Sequence, residues 1–215
     1  MEEKKLILGL DVSTKTLGVC LMLIEGDKKE IIKLTYCSPK VNSKIKGIEA
    51  MFLKKIIFEN EFINQFIGLN ITNVIIEEPL IYGPNARSVA PLLKFNSLVS
   101  ESIYRLLGIV PEYISSYDAR AFGFKELVAK RKFDKKGELV PESKYKKSEP
   151  VLFGEYPIGV DKKRIILDKV SELFPKIDWI MDKKGEIIKE SFDSSDSVCC
   201  ILGWLNKIKE ESMVK

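Results

Sequence analysis

The segment Leu6-Ile7-Leu8-Gly9-Leu10-Asp11 is an almost continuous apolar run that ends on an aspartate. A run of this kind predicts a central β-strand that is buried on both faces. A carboxylate at the end of such a strand is costly to bury unless something compensates its charge. The prediction of the fold and the prediction of the chemistry therefore both start at Asp11.

Acidic residues recur in comparable places later in the chain. Glu77 ends a second apolar strand, Val74-Ile75-Ile76, and is followed directly by Glu78. Asp193 and Asp196 stand three residues apart where the last helix is predicted to open, so both project from one face of its first turn. Their occurrence together with Asp11 indicates that one bound divalent cation compensates the charge of these acids.

Each acid taken alone also has an ordinary structural explanation. Asp193 could cap the last helix, with Asp196 in the first turn where the helix dipole favours negative charge. Asp11 could bond the turn that follows it through its side chain. Glu77 could be a solvated strand end. The sequence leaves these explanations open for each residue, but their joint occurrence favours the metal site.

Composition narrows the class of protein. The 215 residues are 45% hydrophobic and 31% charged, which predicts a single well-buried globular domain with one insertion. There is no apolar run of about 18 residues, so no membrane span is expected. The N-terminus leads straight into a strand, so no signal peptide is expected, and the expected location is the cytoplasm.

The residue types present also limit the chemistry. The chain has four cysteines without a CxxC pair and no histidine, so a zinc site has almost no ligands to draw on. Hydrolysis would have to depend on carboxylates, lysine or metal-activated water. A site built from carboxylates alone fits Mg²⁺ or Mn²⁺ and does not fit zinc or copper.

Hydrophobic periodicity predicts an α/β fold. The order of elements is three strands, a helix, a strand, a helix and a short strand, followed after an interruption by two helices. This order predicts a mixed five-stranded sheet, three antiparallel strands and then two parallel ones, flanked by helices. The predicted strands cover 6–11, 17–25, 30–37, 73–78 and 111–115, and the predicted helices cover 45–69 (broken near Asn60), 88–107, 161–174 and 193–209.

A lysine-rich insertion at about 125–160 interrupts this pattern. Nine basic residues stand against four acidic ones between 125 and 147, and Lys136-Gly137-Glu138 predicts the tip of a hairpin. Such a segment could neutralise several phosphates, although a solvated surface is the alternative. The residues predicted to bind DNA here are Lys130, Arg131, Lys132, Lys135, Lys136, Lys144, Lys146 and Lys147.

At the acidic positions the chain resembles a known family, the RuvC-like Holliday-junction resolvases of the RNase H-like superfamily. The stretch from Ile7 to Thr14, with Leu17-Gly18-Val19, is similar to that family's opening strand, turn and second strand. Ile75-Ile76-Glu77-Glu78 is similar to its strand end before a helix, and Asp193-Ser-Ser-Asp196-Ser-Val to its closing helix. The resemblance covers most of 1–120 and 160–210, so it implies an RNase H-like fold.

The resemblance also implies a site. It assigns Asp11, Glu77, Asp193 and Asp196 as the catalytic and metal-binding residues, holding Mg²⁺, for which Mn²⁺ would substitute. Glu78 is the alternative to Glu77, but strand alternation lets only one of the two face the site. Further DNA contacts are implied at Lys162 and Lys163 before the closing helix and at Tyr82, in a loop where the family often carries a phenylalanine wedge.

The family implies a homodimer, whose two sites cut opposing strands of a four-way junction symmetrically. Helix 88–107 is the candidate dimer helix, since it carries Val89, Leu92, Leu93, Leu98 and Ile103. An ordinary core helix is the alternative. The insertion at 125–160 is not part of the short bacterial form, so the chain is expected to be a divergent member, such as a viral one.

The function expected from the sequence is therefore metal-dependent, structure-selective DNA cleavage. In it, metal-activated water attacks the phosphodiesters of a Holliday junction. The alternatives are a nuclease of the same fold acting on other branched DNA or on RNA–DNA hybrids, and a non-catalytic junction-binding protein. An actin-like kinase or ATPase is disfavoured, because no second glycine-rich phosphate loop of the Asp-x-Gly-Gly type is present.

Overall fold

A computed structural model of the chain describes residues 4–79, 86–145 and 149–213. Its main sheet has five strands in the order β3-β2-β1-β4-β5. The first three strands pair antiparallel with one another, β4 runs parallel to β1, and β5 runs parallel to β4, which confirms the predicted mixed sheet. The strands are β1 (Lys4–Val12), β2 (Leu17–Glu25), β3 (Lys28–Cys37), β4 (Ile71–Glu77) and β5 (Glu112–Ile114).

Helices cover both faces of this sheet. On one face, α1 and α2 pack on the side chains of Leu8, Leu10 and Ile76. On the other, α3, α5 and α6 pack on Ile7 and Ile75. No helix in the described ranges has the length and apolar character that a membrane crossing requires. The helices are α1 (Gly47–Glu61), α2 (Ala86–Leu107), α3 (Ser116–Gly123), α4 (Glu142–Tyr145), α5 (Lys162–Leu173) and α6 (Glu190–Met213).

Two helix boundaries bear on the predictions. Helix α1 ends at Glu61 and a separate 3-10 turn follows at Ile63–Phe66, so the expected break near Asn60 is confirmed. Helix α6 begins at Glu190, three residues before Asp193. The expectation that Asp193 caps this helix is therefore wrong, because Asp193 lies inside the first turn.

The lysine-rich insertion forms its own small structure. Strands β6 (Val128–Lys130) and β7 (Pro150–Leu152) pair antiparallel in a separate two-stranded sheet. Between them, Phe133 bridges to Leu139 around Gly137. The hairpin tip expected at 136–138 is thereby confirmed.

Helix α2 matches the candidate dimer helix only in part. Ile103 is fully buried, in the core cluster formed with the sheet. Its assignment to a dimer contact is therefore wrong, because its side chain is already covered within this chain. Leu93 is 36% exposed and Val89 is half-buried, so these two remain available on the outer side of α2.

Candidate metal centre

The pleat of two parallel strands brings the first two acids to the same face of the sheet. Leu10 of β1 pairs with Ile76 of β4, so Asp11 and Glu77 follow at neighbouring strand ends. Side chains alternate along a strand, and both acids share the face that packs against α6. Glu78 lies one residue beyond β4 and is exposed. The structure therefore directs Glu77, and not Glu78, towards the aspartates of α6.

Glycines in the strands let α6 come close enough to complete the site. A Cβ at Gly18 would overlap the backbone carbonyl of Asp193, and a Cβ at Gly9 would overlap that of Ser197. Gly18 pairs with Asp11 across β1 and β2, so the helix backbone crosses the sheet beside that aspartate. Only a residue without a side chain allows this approach.

Buried serines hold the same stretch of α6 against the sheet. Ser194, Ser195 and Ser197 are all at most 3% exposed. The Ser194 hydroxyl donates to the carbonyl oxygen of Thr35 in β3, at 2.8 Å. Small hydroxyl side chains fill little volume and donate their hydrogen bonds to backbone carbonyls. The bond from Ser194 thereby fixes the turn that carries Asp193 and Asp196 to β3.

Three of the four predicted acids form one tight cluster. A carboxylate oxygen from each of Asp11, Asp193 and Asp196 lies within 4.8 Å of the other two. Asp196 is 2% exposed, and the other two are half-buried. A donor set made only of carboxylate oxygens suits a hard divalent cation. The arrangement can therefore hold a metal ion, as the sequence predicts.

The cluster carries negative charge that the protein does not fully compensate. Burial, and then the charges of Glu77 and Asp196, raise the pKa of Asp11 well above its usual value. Burial, with the charge of Asp196, raises the pKa of Glu77 to about 7. Burial also raises the pKa of Asp196. These influences place Glu77 electrostatically with the cluster, although it is not among the three acids within 4.8 Å. Shifts of this kind mark sites where a cation would be strongly favoured.

Two basic side chains give partial compensation. The Lys163 ammonium lies 2.6 Å from Asp193 Oδ1 and 3.3 Å from Asp196 Oδ2. Burial alone would lower the pKa of Lys163, but the hydrogen bond to Asp193 and the charge of Asp196 raise it. Arg120 of α3 places Nη2 3.5 Å from Asp196 Oδ1. Lys163 therefore belongs to the acid cluster itself, which its assignment to DNA contact did not anticipate.

The other residues predicted to contact DNA are spread over the insertion and its surroundings. Arg131 donates to the carbonyl oxygen of Phe153 at 3.3 Å, and Lys132 pairs with Glu155, so both support the insertion. The Lys162 ammonium lies 5.5 Å from the centroid of the Phe153 ring. The solvent-exposed members of the set are Lys130, Lys135, Lys136, Lys144 and Lys162. Tyr82, Lys146 and Lys147 lie outside the described residues.

Arg120 is the residue at this site that the sequence predictions missed. It lies in α3, a short helix that was not predicted, and reaches Asp196 across 76 positions of sequence. A signal for the helix exists, since the Ser115 side chain accepts from the Asp118 amide as an N-cap, and Ser-x-x-Asp spacing is typical of helix starts. Nothing in the sequence separates Arg120 from other basic residues.

Comparisons with known proteins agree with this geometry at the level of fold. No protein-family model and no curated protein match the sequence. Among solved structures, RuvC of Thermus thermophilus is 11% identical, with 96% of each chain covered and a TM-score of 0.56. T. thermophilus RuvC in complex with a Holliday junction substrate gives 11% identity, 96% coverage of each chain and a TM-score of 0.57. The chain therefore resembles RuvC in fold, as the sequence predicts, and shares few of its residues.

Proposed function

We propose that this chain is a divalent-metal-dependent, structure-selective DNA endonuclease that resolves Holliday junctions by paired symmetrical nicks. The observation that supports this most directly is the cluster of Asp11, Asp193 and Asp196, with Glu77 beside it, in a fold that resembles RuvC. A fold by itself does not define an activity. The proposal rests on the fold and the acidic site together.

The residues present fit a magnesium ion. Asp11, Glu77, Asp193 and Asp196 would hold it, and Mn²⁺ would substitute, because all donors are carboxylate oxygens. Burial raises the pKa values of three of these acids, and a bound cation would favour their charged forms. When bound, the cation would supply activation of the attacking water and neutralisation of charge on the phosphodiester.

The basic residues of the chain would bind and orient the DNA backbone. Lys163 keeps 47% of its side chain exposed beside the acids, so it can donate to a phosphate oxygen brought to the site. Arg120 is more enclosed and holds Asp196 in position. Lys130, Lys135, Lys136, Lys144 and Lys162 would add phosphate contacts further away, and in our proposal so would Lys146 and Lys147, while Tyr82 would stack on a base.

Four-way DNA is the substrate we propose, and a homodimer is the active form. The solved RuvC complex contains a Holliday junction substrate, and paired nicks in a symmetrical junction require two sites related by a two-fold axis. Contacts to phosphate and to the shape of the junction would dominate such binding. A monomer that nicks one strand at a time would contradict this part of the proposal.

The test is cleavage of a synthetic four-way junction with Mg²⁺ and with EDTA. We expect Asp11→Asn, Asp196→Asn and Glu77→Gln each to lower the rate by at least about 100-fold, on the scale expected when transition-state charge stabilisation is lost. Glu78→Gln is the matched control, because it makes the same change one residue away on an exposed side chain. Equal loss in Glu77→Gln and Glu78→Gln would contradict the assignment.

Substrate choice separates the alternatives. Flaps, replication forks and RNA–DNA hybrids are assayed beside the junction under the same conditions. Faster cleavage of one of these would identify it, and not the junction, as the preferred substrate. The proposal that the chain is a nuclease would still hold. Tight junction binding that persists in EDTA, with no cleavage in Mg²⁺ or Mn²⁺, would identify a non-catalytic junction-binding protein.

A further inference from the structure

The chain contains the same pentapeptide twice. Residues 134–138 and 182–186 both read Asp-Lys-Lys-Gly-Glu, and both are flanked by apolar residues. We name them tip 1 (134–138) and tip 2 (182–186). Tip 1 lies in the lysine-rich insertion, and tip 2 lies between α5 and α6.

The two tips fold in the same way. In tip 1 the Asp134 carboxylate accepts from the amides of Lys136 and Glu138, at 2.8 and 3.0 Å. In tip 2 the Asp182 carboxylate accepts from the amides two and four residues later, at 2.7 and 3.0 Å. The glycine of each tip has a φ of 81°. An antiparallel bridge closes each loop, between Phe133 and Leu139 and between Met181 and Ile187.

Turn chemistry accounts for part of the motif and not for the rest. The aspartate is needed because its side chain bonds its own loop, and the glycine is needed for the left-handed conformation. The second and third positions of the pentapeptide have no such requirement, yet both tips carry lysine at each of them. These lysines are all exposed, and among the described residues none forms an ion pair. Both lysine pairs are therefore available to a ligand outside the chain.

Tip 1 is connected through the insertion to the start of α5. The Lys132 amide donates to the carbonyl oxygen of Gly154 at 2.9 Å. The neighbouring Phe153 is buried and lies under the ammonium of Lys162, the first residue of α5. The next residue, Lys163, bonds Asp193. The hairpin that carries tip 1 is thus joined to the start of the helix that supplies Lys163.

Tip 2 leads directly into α6, the helix that carries Asp193. The Ile188 amide donates to the carbonyl oxygen of Ile180, which closes the hairpin, and the Ser191 amide then donates to Ile188. Asp193 follows two residues later in α6. On the entering side, the Trp179 indole donates to Ser171 of α5 at 2.9 Å. Tip 2 therefore leads into the helix that carries Asp193, and tip 1 is tied through Phe153 to the start of the helix that carries Lys163.

We propose that tip 2, through Lys183 and Lys184, is a second contact to the DNA phosphate backbone that matches tip 1. This inference rests on the proposed function, and it adds a binding site to it that lies outside the insertion. Duplex backbone is the ligand that fits, because a pair of flexible ammonium groups on a rigid turn binds phosphate without reading bases. Two such tips, one linked to α5 and one leading into α6, would add backbone contacts beyond the acid cluster.

The experiment measures binding separately from cleavage. Fluorescence anisotropy in EDTA gives the Kd for a labelled four-way junction and for a linear duplex over a range of salt concentrations. The variants are Lys183→Gln with Lys184→Gln for tip 2, Lys135→Gln with Lys136→Gln for tip 1, and all four together. The matched control is Lys28→Gln with Lys29→Gln, which removes a lysine pair from the β2–β3 turn. That turn lies at the sheet end away from Asp11, since Lys28 pairs with Glu25 and Glu25 pairs with Lys4.

We expect each tip variant to weaken binding by about threefold to tenfold near 100 mM salt, and to reduce the salt slope by about 1 to 2, as loss of one or two phosphate contacts requires. The control should leave the slope unchanged. A tip 2 variant with the Kd and salt slope of the control would overturn the inference. A wild-type chain that binds DNA but cleaves nothing would contradict the proposed function and leave the tip result valid, while a wild-type chain that binds no DNA would overturn both.

Discussion

The Lys163 ammonium lies 2.6 Å from Asp193 Oδ1 and 3.3 Å from Asp196 Oδ2. One basic side chain is therefore already bonded to two of the carboxylates that we assign to the metal. A divalent cation bound to these carboxylates would reduce the attraction between them and Lys163. The stability of the metal-free protein and its response to metal are consequently linked through this lysine.

Lys163→Gln should weaken the metal-free protein and strengthen its response to metal. Without the ammonium, Asp193 and Asp196 lose their nearest positive charge, so we expect a loss of about 1 kcal/mol in EDTA, a value kept small because the lysine is half-exposed. The Tm increase on adding Mn²⁺ should exceed that of the wild type. Thermal unfolding with EDTA and with Mn²⁺ measures both effects.

Lys162→Gln is the control for this prediction. It removes the same charge one residue earlier, from a side chain that lies over the Phe153 ring. We expect its Mn²⁺ response to equal that of the wild type. If Lys163→Gln and Lys162→Gln respond alike, Lys163 does not share the carboxylates with the metal.

Glu77→Gln should stabilise the metal-free protein at neutral and alkaline pH. The pKa of Glu77 is raised from 4.5 to about 7 by burial and by Asp196. Between these values the folded state keeps a proton that the unfolded state has lost, so stability falls as pH rises through this window. The glutamine variant lacks this penalty. We expect it to exceed the wild type by about 2 kcal/mol above pH 7 and to match it below about pH 4.5.

Denaturant unfolding in EDTA from pH 4 to pH 8 measures this difference. Glu78→Gln, on the exposed neighbour, should track the wild type across the whole range. In saturating Mg²⁺ the order should reverse at pH 8, because only the wild type keeps Glu77 as a ligand. A glutamine variant that is less stable than the wild type at pH 8 in EDTA would contradict the raised pKa.

The sequence predicts those parts of the site that depend on local pattern. An apolar run that ends on an acid is visible at Asp11 and at Glu77, and strand alternation already favours one glutamate of the pair. The order of strands and helices then requires the two strand ends to be neighbours in a mixed sheet. These features were predictable because each depends on a few consecutive residues.

The parts that were not predicted depend on packing between distant segments. Arg120 reaches Asp196 because α3 packs against α6, and no local pattern shows that contact. Helix α6 starts earlier than predicted. Its first turn is polar and so gives no helical signal, but its serines are buried against the sheet and stabilise the helix there. A serine-rich segment reads as a loop from propensity alone, and tertiary contacts override that preference.

Gly18→Ala should displace the part of α6 that carries Asp193. The new methyl group would overlap the backbone carbonyl of Asp193, and backbone cannot move aside as a flexible side chain can. We expect a loss of about 2 kcal/mol in stability from overpacking. Cleavage should fall by about 100-fold, because a displacement of about 1 Å at a catalytic group has that scale of effect.

Gly123→Ala is the matched control, on another surface of α6. A methyl group there would lie 3.5 Å from the nearest atoms of Cys199 and Gly203, which is ordinary contact. We expect the free energy of unfolding to match that of the wild type and the cleavage rate to stay within about threefold of it. Denaturant unfolding and junction cleavage are measured for both variants. Unchanged cleavage in Gly18→Ala would show that the close approach of α6 is not needed for the site.

Arg120→Gln should shift the pH profile of cleavage to higher pH. The charge of Arg120 lowers the pKa of Glu77 and of Asp196, so its removal keeps these acids protonated to higher pH, where they bind metal poorly. At a fixed, subsaturating Mn²⁺ concentration we expect cleavage to fall by about tenfold at pH 6 and by less than about threefold at pH 9. Arg120→Lys retains the charge and should keep the position of the wild-type profile, even if geometry lowers the rate. An equal loss at every pH in Arg120→Gln would show that Arg120 acts only through packing.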